Sequence, residues 1–372
     1  MTRPLYKAAV QQPTDRGFEG HAGLWFDKFC DRWCVTGGSW TMSADDSGNN
    51  PKLAWIRSLA NGGAVGIRTQ IEESTMRLVR FVERRGGRSA VFTTESRFVT
   101  GLGRSHPVEN GFAWHPTLGT PYLPGSSIKG LVRAWAREHT ENSPAPDTMT
   151  RLLGGPGRAG SVCFLDAVPT APAQLEADVM TPHYSGWSES DPPGDWRSPT
   201  LIPFMVTAAG TPFLFGLIPC CEAADDDLDT VFDWLRSALA WAGGGAKTAI
   251  GYGRFREDHE QTNSWIERVR IEDQRRQEEE ARKEAMATPE GRWRMEIEGS
   301  SETEILELVR VHLEKEPLED PVERRAFARA VVSMDVVKHW RRGSPRDAQT
   351  NVGKKKLKER ARLIDQALAE AD

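Results

Sequence analysis

Pro121-Tyr-Leu-Pro-Gly-Ser-Ser-Ile-Lys-Gly-Leu-Val-Arg-Ala-Trp135 reads as a turn that opens into a helix. Pro124 and Gly125 set the turn, and Ser126 or Ser127 is placed to cap the helix. Ile128, Leu131, Val132 and Trp135 recur at helical spacing and define a buried side. Lys129, Arg133 and Arg137 fall four apart on another face. Free amides at a helix start favour an anion such as phosphate. Ser126, Ser127, Lys129 and Arg133 are therefore a candidate phosphate-binding set. An ordinary capped helix with solvated cations accounts for the same residues.

Working outward, Ile67, Ile71, Leu78 and Val82 keep helical spacing up to Gly86-Gly87, and a strand is expected from Ala90 to Thr100. Downstream of the central helix come strand candidates around Val162–Asp166, Leu175–Met180, Leu201–Thr207 and Phe213–Ile218. The last two flank Ala208-Ala-Gly-Thr211, a candidate hairpin turn. Leu228, Val231, Phe232, Leu235 and Leu239 line a second helix, with Asp225–Asp227 at its positive end. The order β-α-β, extra strands, α-β predicts an α+β chain with a ferredoxin-like (RRM-like) core and insertions.

The second helix runs into Trp241-Ala-Gly-Gly-Gly-Ala-Lys-Thr-Ala-Ile-Gly-Tyr-Gly-Arg-Phe255. Gly243, Gly244, Gly245, Gly251 and Gly253 let a backbone approach a ligand closely. Lys247 and Arg254 add positive charge, and Tyr252 offers a stacking face. A phosphate-binding P-loop is excluded, because Ala246 stands where that pattern needs Gly, and this loop follows a helix and precedes a strand. A tight helix-to-strand connection is the structural alternative.

Charge density rises sharply near residue 256. Residues 1–255 hold 24 Lys/Arg and 26 Asp/Glu, whereas the 117 residues from 256 onward hold 24 and 27. Residues 264–287 read as a solvated helix. Three apolar stripes come after it: Ile305, Leu308, Val309 and Leu313; Phe327, Val331, Met334 and Val337; Leu357, Ile364 and Leu368. The expected divisions are 1–256 for the α+β domain, 257–290 for a charged helical linker and 291–372 for a small helical appendage. Lys354–Lys356 could touch RNA, but reads first as a solvated helix start. The net charge of −5 still allows a local basic groove. Five cysteines, no apolar run near membrane-spanning length and no signal-peptide pattern lead us to expect a cytoplasmic protein.

Leu123-Pro-Gly-Ser-Ser-Ile-Lys-Gly-Leu-Val-Arg133 resembles the helix-start motif of RAMP proteins, the RNA-binding superfamily of CRISPR effector complexes. Gly243 to Phe255 resembles that superfamily's glycine-rich loop. Thr100-Gly-Leu-Gly103, His106-Pro-Val-Glu-Asn-Gly111, Trp114-His-Pro-Thr-Leu-Gly119, Asp178-Val-Met-Thr-Pro-His-Tyr184 and Asp195-Trp-Arg-Ser-Pro-Thr200 are similar to the sixth subunit family of the Cmr complex. Leu5-Tyr6-Lys7 and Leu24-Trp-Phe-Asp27 add thinner similarity, and residues 260–372 lie outside it. The resemblance implies a non-catalytic type III-B subunit near the 3′ end of the guide RNA, capping a filament of RAMP subunits. Its implied partners are guide RNA, target RNA, and other RAMP and small helical Cmr subunits. From the residues themselves no cofactor and no metal is expected.

Two other readings stay open: a RAMP-type endoribonuclease processing CRISPR RNA, and a protein-only assembly cap. His106, His115 and His183 could serve acid–base chemistry, but each sits beside proline in a loop, where a hydrogen-bonded structural role is expected. Asp45-Asp46 reads as an acidic loop. Cys30 and Cys34 lack a second ligand pair, Cys220-Cys221 reads as strand-end packing, and most of the thirteen tryptophans as core or interface anchors. Ending the chain near residue 260 is expected to leave the first domain soluble.

Overall fold

Arg88-Ser-Ala-Val-Phe-Thr-Thr94 alternates its side chains between two faces, and both are buried. Ala90 and Phe92 join one apolar cluster, while Val91 joins another. Such a strand can only sit inside a sheet covered on both sides.

The computed structural model describes residues 15–17, 19–43, 49–139, 144–182, 199–220, 225–347, 350 and 352–369. Leu5, Tyr6, Lys7, Asp45, Asp46, His183, Tyr184, Asp195 and Cys221 lie outside the described residues.

The chain divides into two units, Met1–Val269 and Arg270–Asp372. The first contains α1 (Ala22–Lys28), β1 (Cys34–Thr36), β2 (Ser39–Thr41), α2 (Pro51–Ala60), α3 (Arg68–Arg84), β3 (Arg88–Thr94), β4 (Ser105–His106) and β5 (Glu109–Asn110). It continues with α4 (Gly125–Glu138), α5 (Pro146–Leu153), β6 (Val162–Phe164), β7 (Val168–Pro169), β8 (Leu175–Met180), β9 (Ile202–Thr207), β10 (Pro212–Pro219), α6 (Asp225–Trp241) and β11 (Phe255–Asp258). Helix α7 (His259–Ala287) crosses the division.

The main sheet runs β11-β3-β10-β6, antiparallel throughout, with β7 also paired to β10. On one face α4 and α6 cover Phe92, Phe213, Phe215 and Phe255. Phe92 meets Phe215 edge-on with centroids 5.2 Å apart, and Phe98 meets Phe255 likewise at 5.4 Å. On the opposite face Val79 of α3 and Trp265 and Val269 of α7 cover Val91 and Leu214. The first residues of the expected linker from 257 lie in the sheet. Glu257 and Asp258 belong to β11, and the first turns of α7 complete the sheet's second layer.

The expected hairpin of the third and fourth strand candidates is also corrected. β9 pairs with β8 over six residues, from Leu175↔Thr207 to Met180↔Ile202, while β10 enters the main sheet between β3 and β6. Ala208–Thr211 therefore carries the chain from one sheet to another. The strand expected to reach Thr100 ends at Thr94; Phe98 then makes an isolated bridge with Thr207.

The second unit comprises α8 (Pro289–Ile297), α9 (Glu302–Arg310), a π-helical turn (Val311–Lys315), α10 (Pro321–Ser333), α11 (Val336–Arg342) and α12 (Lys354–Ala369). Ile305, Val309, Phe327, Val331, Trp340, Leu357 and Ile364 make its core. Glu302 is buried there and accepts from Trp340 Nε1 at 2.6 Å and the amides of Arg346 and Asp347 at 2.9 and 2.6 Å. Burial alone would raise its pKa, but those bonds hold it below the usual carboxylate value.

Candidate nucleic-acid interface

At the start of α4 the N-cap is Pro124, and neither Ser126 nor Ser127 caps the helix through its side chain. Both serines are exposed. The anion expected at this helix start is supplied by the chain: the Gly125 amide donates to Asp166 Oδ1 at 2.7 Å. The amides of Ser127 and Ile128 donate to Pro124 O at 2.9 and 3.1 Å. A carboxylate already occupies the positive end that the phosphate reading assigns to a ligand.

Along the same helix, the basic stripe splits. Arg133 Nη2 donates to Leu153 O at 2.8 Å and Gly154 O at 2.9 Å, where it ties down the last carbonyls of α5. That guanidinium nitrogen is thereby committed to protein backbone. Lys129 is half-buried and has no ion-pair partner among the described residues.

The glycine loop turns largely inward. Gly244 N donates to Gly253 O at 2.8 Å, Ala246 N to Val99 O at 2.8 Å, and Gly253 N to Arg97 O at 2.8 Å. A Cβ on Gly245 would lie 2.2 Å from Val99 O. One on Gly253, whose φ is +72°, would lie 1.9 Å from Gly244 O. A Cβ on Gly243 would approach Tyr252 O and Gly253 O at 3.0 and 2.9 Å, and Gly244 is buried against Leu123 and Phe255. Their close approach is therefore to the segment Arg97–Val99 and to the loop's own return. Gly243, Gly244, Gly245 and Gly253, expected as a backbone cradle, thus pack against protein. Gly251, with φ +99°, has nothing within 4 Å and stays open.

Of the loop's polar residues, Tyr252 is engaged. Its hydroxyl donates to Asp178 Oδ2 at 2.5 Å, and burial followed by that bond pushes its pKa up to about 12. Arg97 donates from Nη1 to the same oxygen at 3.0 Å and from Nε to Glu176 Oε2 at 2.7 Å. This Arg97–Glu176–Asp178–Tyr252 knot pins the loop to β8. Asp178 stands in one of the motifs similar to the Cmr subunit family, but no local periodicity pairs it with Tyr252. Lys247 has positive φ and places Nζ 5.2 Å from the Phe204 ring centre. The Arg254 amide donates to Ser96 Oγ at 3.0 Å, and the Arg254 Nη1 is buried without a partner among the described residues. Trp241 and Ile250 of this segment are 73% and 68% exposed.

His106 and His115 are built into the scaffold. His106 stacks on Phe26 at 4.1 Å, bonds through Nε2 to Phe26 O at 3.0 Å and accepts from the Val108 amide. His115 Nδ1 faces the amides of Thr117 and Leu118. Burial lowers both pKa values. Cys30 is buried against Met42 and Cys34 is exposed, and no group of three or more metal-ligating side chains forms among the described residues. No helix among those residues is long and apolar enough to cross a membrane.

Residues 91–256 match the family model described as the RAMP superfamily. The matched interval begins in β3 and ends in β11, so it takes in strands from both edges of the main sheet. The chain is 29% identical over 230 residues to Cmr6, a CRISPR system Cmr subunit of Pyrococcus furiosus, covering 45% of this chain and 66% of that protein. Over 98 residues it is 33% identical to Cmr6 of Saccharolobus solfataricus, covering 25% and 33%. The matched region resembles RAMP domains, and the chain resembles Cmr6.

Among solved structures, this chain is similar to a chain of the type III-B Cmr-beta complex bound to cognate target RNA. The identity is 24% and the TM-score 0.43, covering 55% of this chain and 72% of that one. The chain thus spans just under two thirds of the first curated relative and a third of the second. Helix α7 and the second unit fall outside the RAMP match.

Proposed function

We propose that this chain is a non-catalytic, RNA-binding subunit of a type III-B CRISPR ribonucleoprotein. In this reading it holds the guide RNA backbone near its 3′ end and caps a filament of RAMP subunits. The carrying observation is the 230-residue similarity to Cmr6. The sheet order β11-β3-β10-β6 supports a ferredoxin-like core, with β8 and β9 as an inserted hairpin.

RRM domains stack bases on an open sheet face. Here α3 and α7 fill that face, so RNA runs over the α4 and glycine-loop surface instead. The groups left for it are Lys129, Lys247, the open Gly251 turn and exposed Trp241. Lysines reach phosphates as point charges and read no sequence, so binding is guide-independent.

The test uses the chain assembled with its partner subunits and short single-stranded RNAs of unrelated sequence. Lys129→Ala with Lys247→Ala weakens all of them and lowers the log–log salt slope by ~0.7 per lost contact. Unchanged affinity and slope favour a protein-only cap. Specific RNA cleavage lost in His106→Ala or His115→Ala favours the endoribonuclease.

A further inference from the structure

From helices α11 and α12 and the glycine turn between them, we infer that the second unit presents its own binding surface for single-stranded RNA backbone, with Arg342, Lys354, Lys355, Lys358 and Arg362 as its phosphate contacts. This inference rests on the RNA-binding reading of the chain.

Positive charge is concentrated here. Residues 336–362 hold ten Lys/Arg against two Asp/Glu, in a chain whose net charge is −5. Some of these cations are committed to the fold. Lys338 pairs with Asp335, Arg341 with Asp365, Arg360 with Glu314, and Arg346 Nη1 donates to Met334 O. Arg342, Lys354, Lys355, Lys358 and Arg362 are exposed, and their side chains have no ion pair or hydrogen bond among the described residues.

The fold brings them together. A Cβ on Gly343 would meet Lys354 Cγ at 2.4 Å and Lys358 Cε at 3.1 Å, so the two lysine stems lie against the residue next to Arg342. Lys354, Lys358 and Arg362 then repeat every four residues along one face of α12, one charge per turn of about 5.4 Å.

This layout works against the helix that carries it. The lysines crowd the positive end of α12, where cations are unfavourable and where α8, α9 and α10 place Glu290, Glu302, Glu304 and Glu323. A bound polyanion relieves both the mutual repulsion and the clash with the helix dipole.

The same face favours RNA over an acidic protein. Its apolar residues, Leu357, Ala361 and Ile364, are turned into the core. The rest of the surface is a row of point charges without the aromatic or aliphatic anchors that dominate protein–protein contacts.

The experiment uses the full chain, assembled with partner subunits, and fluorescent single-stranded RNAs titrated at several salt concentrations. Lys354→Gln, Lys355→Gln, Lys358→Gln and Arg362→Gln together preserve helix-forming side chains while removing four charges. We expect at least a tenfold loss of affinity at low salt and a slope smaller by ~2 to 3. Replacing the three lysines with Arg keeps the charges and keeps binding, which separates charge loss from misfolding. The variant with Lys129→Ala and Lys247→Ala runs in parallel. Loss of slope only in that variant overturns the α11–α12 surface and leaves the RAMP-domain reading standing. Loss only in the Gln variant does the reverse. A Gln variant that binds RNA normally but fails to retain partner subunits overturns the inference in favour of an acidic protein surface.

Discussion

Arg133→Ala sets two accounts of one residue against each other. The structure commits its guanidinium to Leu153 O at 2.8 Å and Gly154 O at 2.9 Å, and both residues are buried. A hydrogen bond from a charged donor contributes ~1.5–3 kcal/mol. Here two bonds share one nitrogen on a half-buried side chain, which brings their joint contribution to about 2–3 kcal/mol, including the cost of leaving two buried carbonyls unpaired. For a unit of this size each kcal/mol moves Tm by about 2–4 °C. Arg133→Ala should therefore lower the melting temperature of the first unit by roughly 4–12 °C, read by calorimetry or by fluorescence of its tryptophans. Arg133→Lys should recover only part of this, because an ammonium lacks the planar guanidinium geometry that reaches both carbonyls. The RNA salt slope of the folded variant should stay at the wild-type value. An unchanged melting temperature with a slope reduced by ~0.7 would refute the reasoning and return Arg133 to the phosphate-binding set.

Neighbouring geometry sets the remaining outcomes. Gly253→Ala forces a methyl within 1.9 Å of Gly244 O at positive φ and should destabilise by about 3 kcal/mol or more, whereas Gly251→Ala, in open space, should cost only about 1–2 kcal/mol; urea denaturation of both variants checks the contrast. Ending the chain after residue 260 removes Trp265 and Val269 from the sheet's second face, and Trp265→Ala alone should cost about 3–5 kcal/mol. The truncation should be less soluble than one ending after residue 287, contrary to the expectation drawn from charge density, and sedimentation of the two expressed proteins decides it. His106 has a lowered pKa in the fold because burial disfavours its charged form. Below about pH 6.5 the unfolded chain takes up that proton first, so its stabilising contribution is present above this pH and lost as pH falls toward the folded value. The drop in denaturation midpoint between pH 7.5 and 5.5 should be smaller in His106→Asn than in the unaltered chain, and an equal drop would assign the effect to other groups.

How much of this was legible in the sequence depends on the distance between interacting residues. Ile128, Val132, Leu228, Val231 and Leu239 fixed two helices and their buried sides through spacing alone, and all five enter the same core. Those patterns are local, and one helix turn suffices to read them. The site differed because its decisive contacts span the chain. Asp166 reaches Gly125 across 41 residues, Tyr252 reaches Asp178 across 74, and Arg133 reaches Leu153 across 20. A helix start beside a glycine-rich loop looks the same in sequence whether its donors await a phosphate or already hold protein oxygens. Counting donors therefore overstates a binding site. At α12 the same limit appears, since sequence alone does not show that the stems of Lys354 and Lys358 pack against Gly343, the residue after Arg342. Once cations holding carbonyls and carboxylates are set aside, the uncommitted ones are few on the α4 and glycine-loop surface and dense in the second unit. That redistribution leaves the denser set of uncommitted cations outside the region that resembles known RAMP proteins.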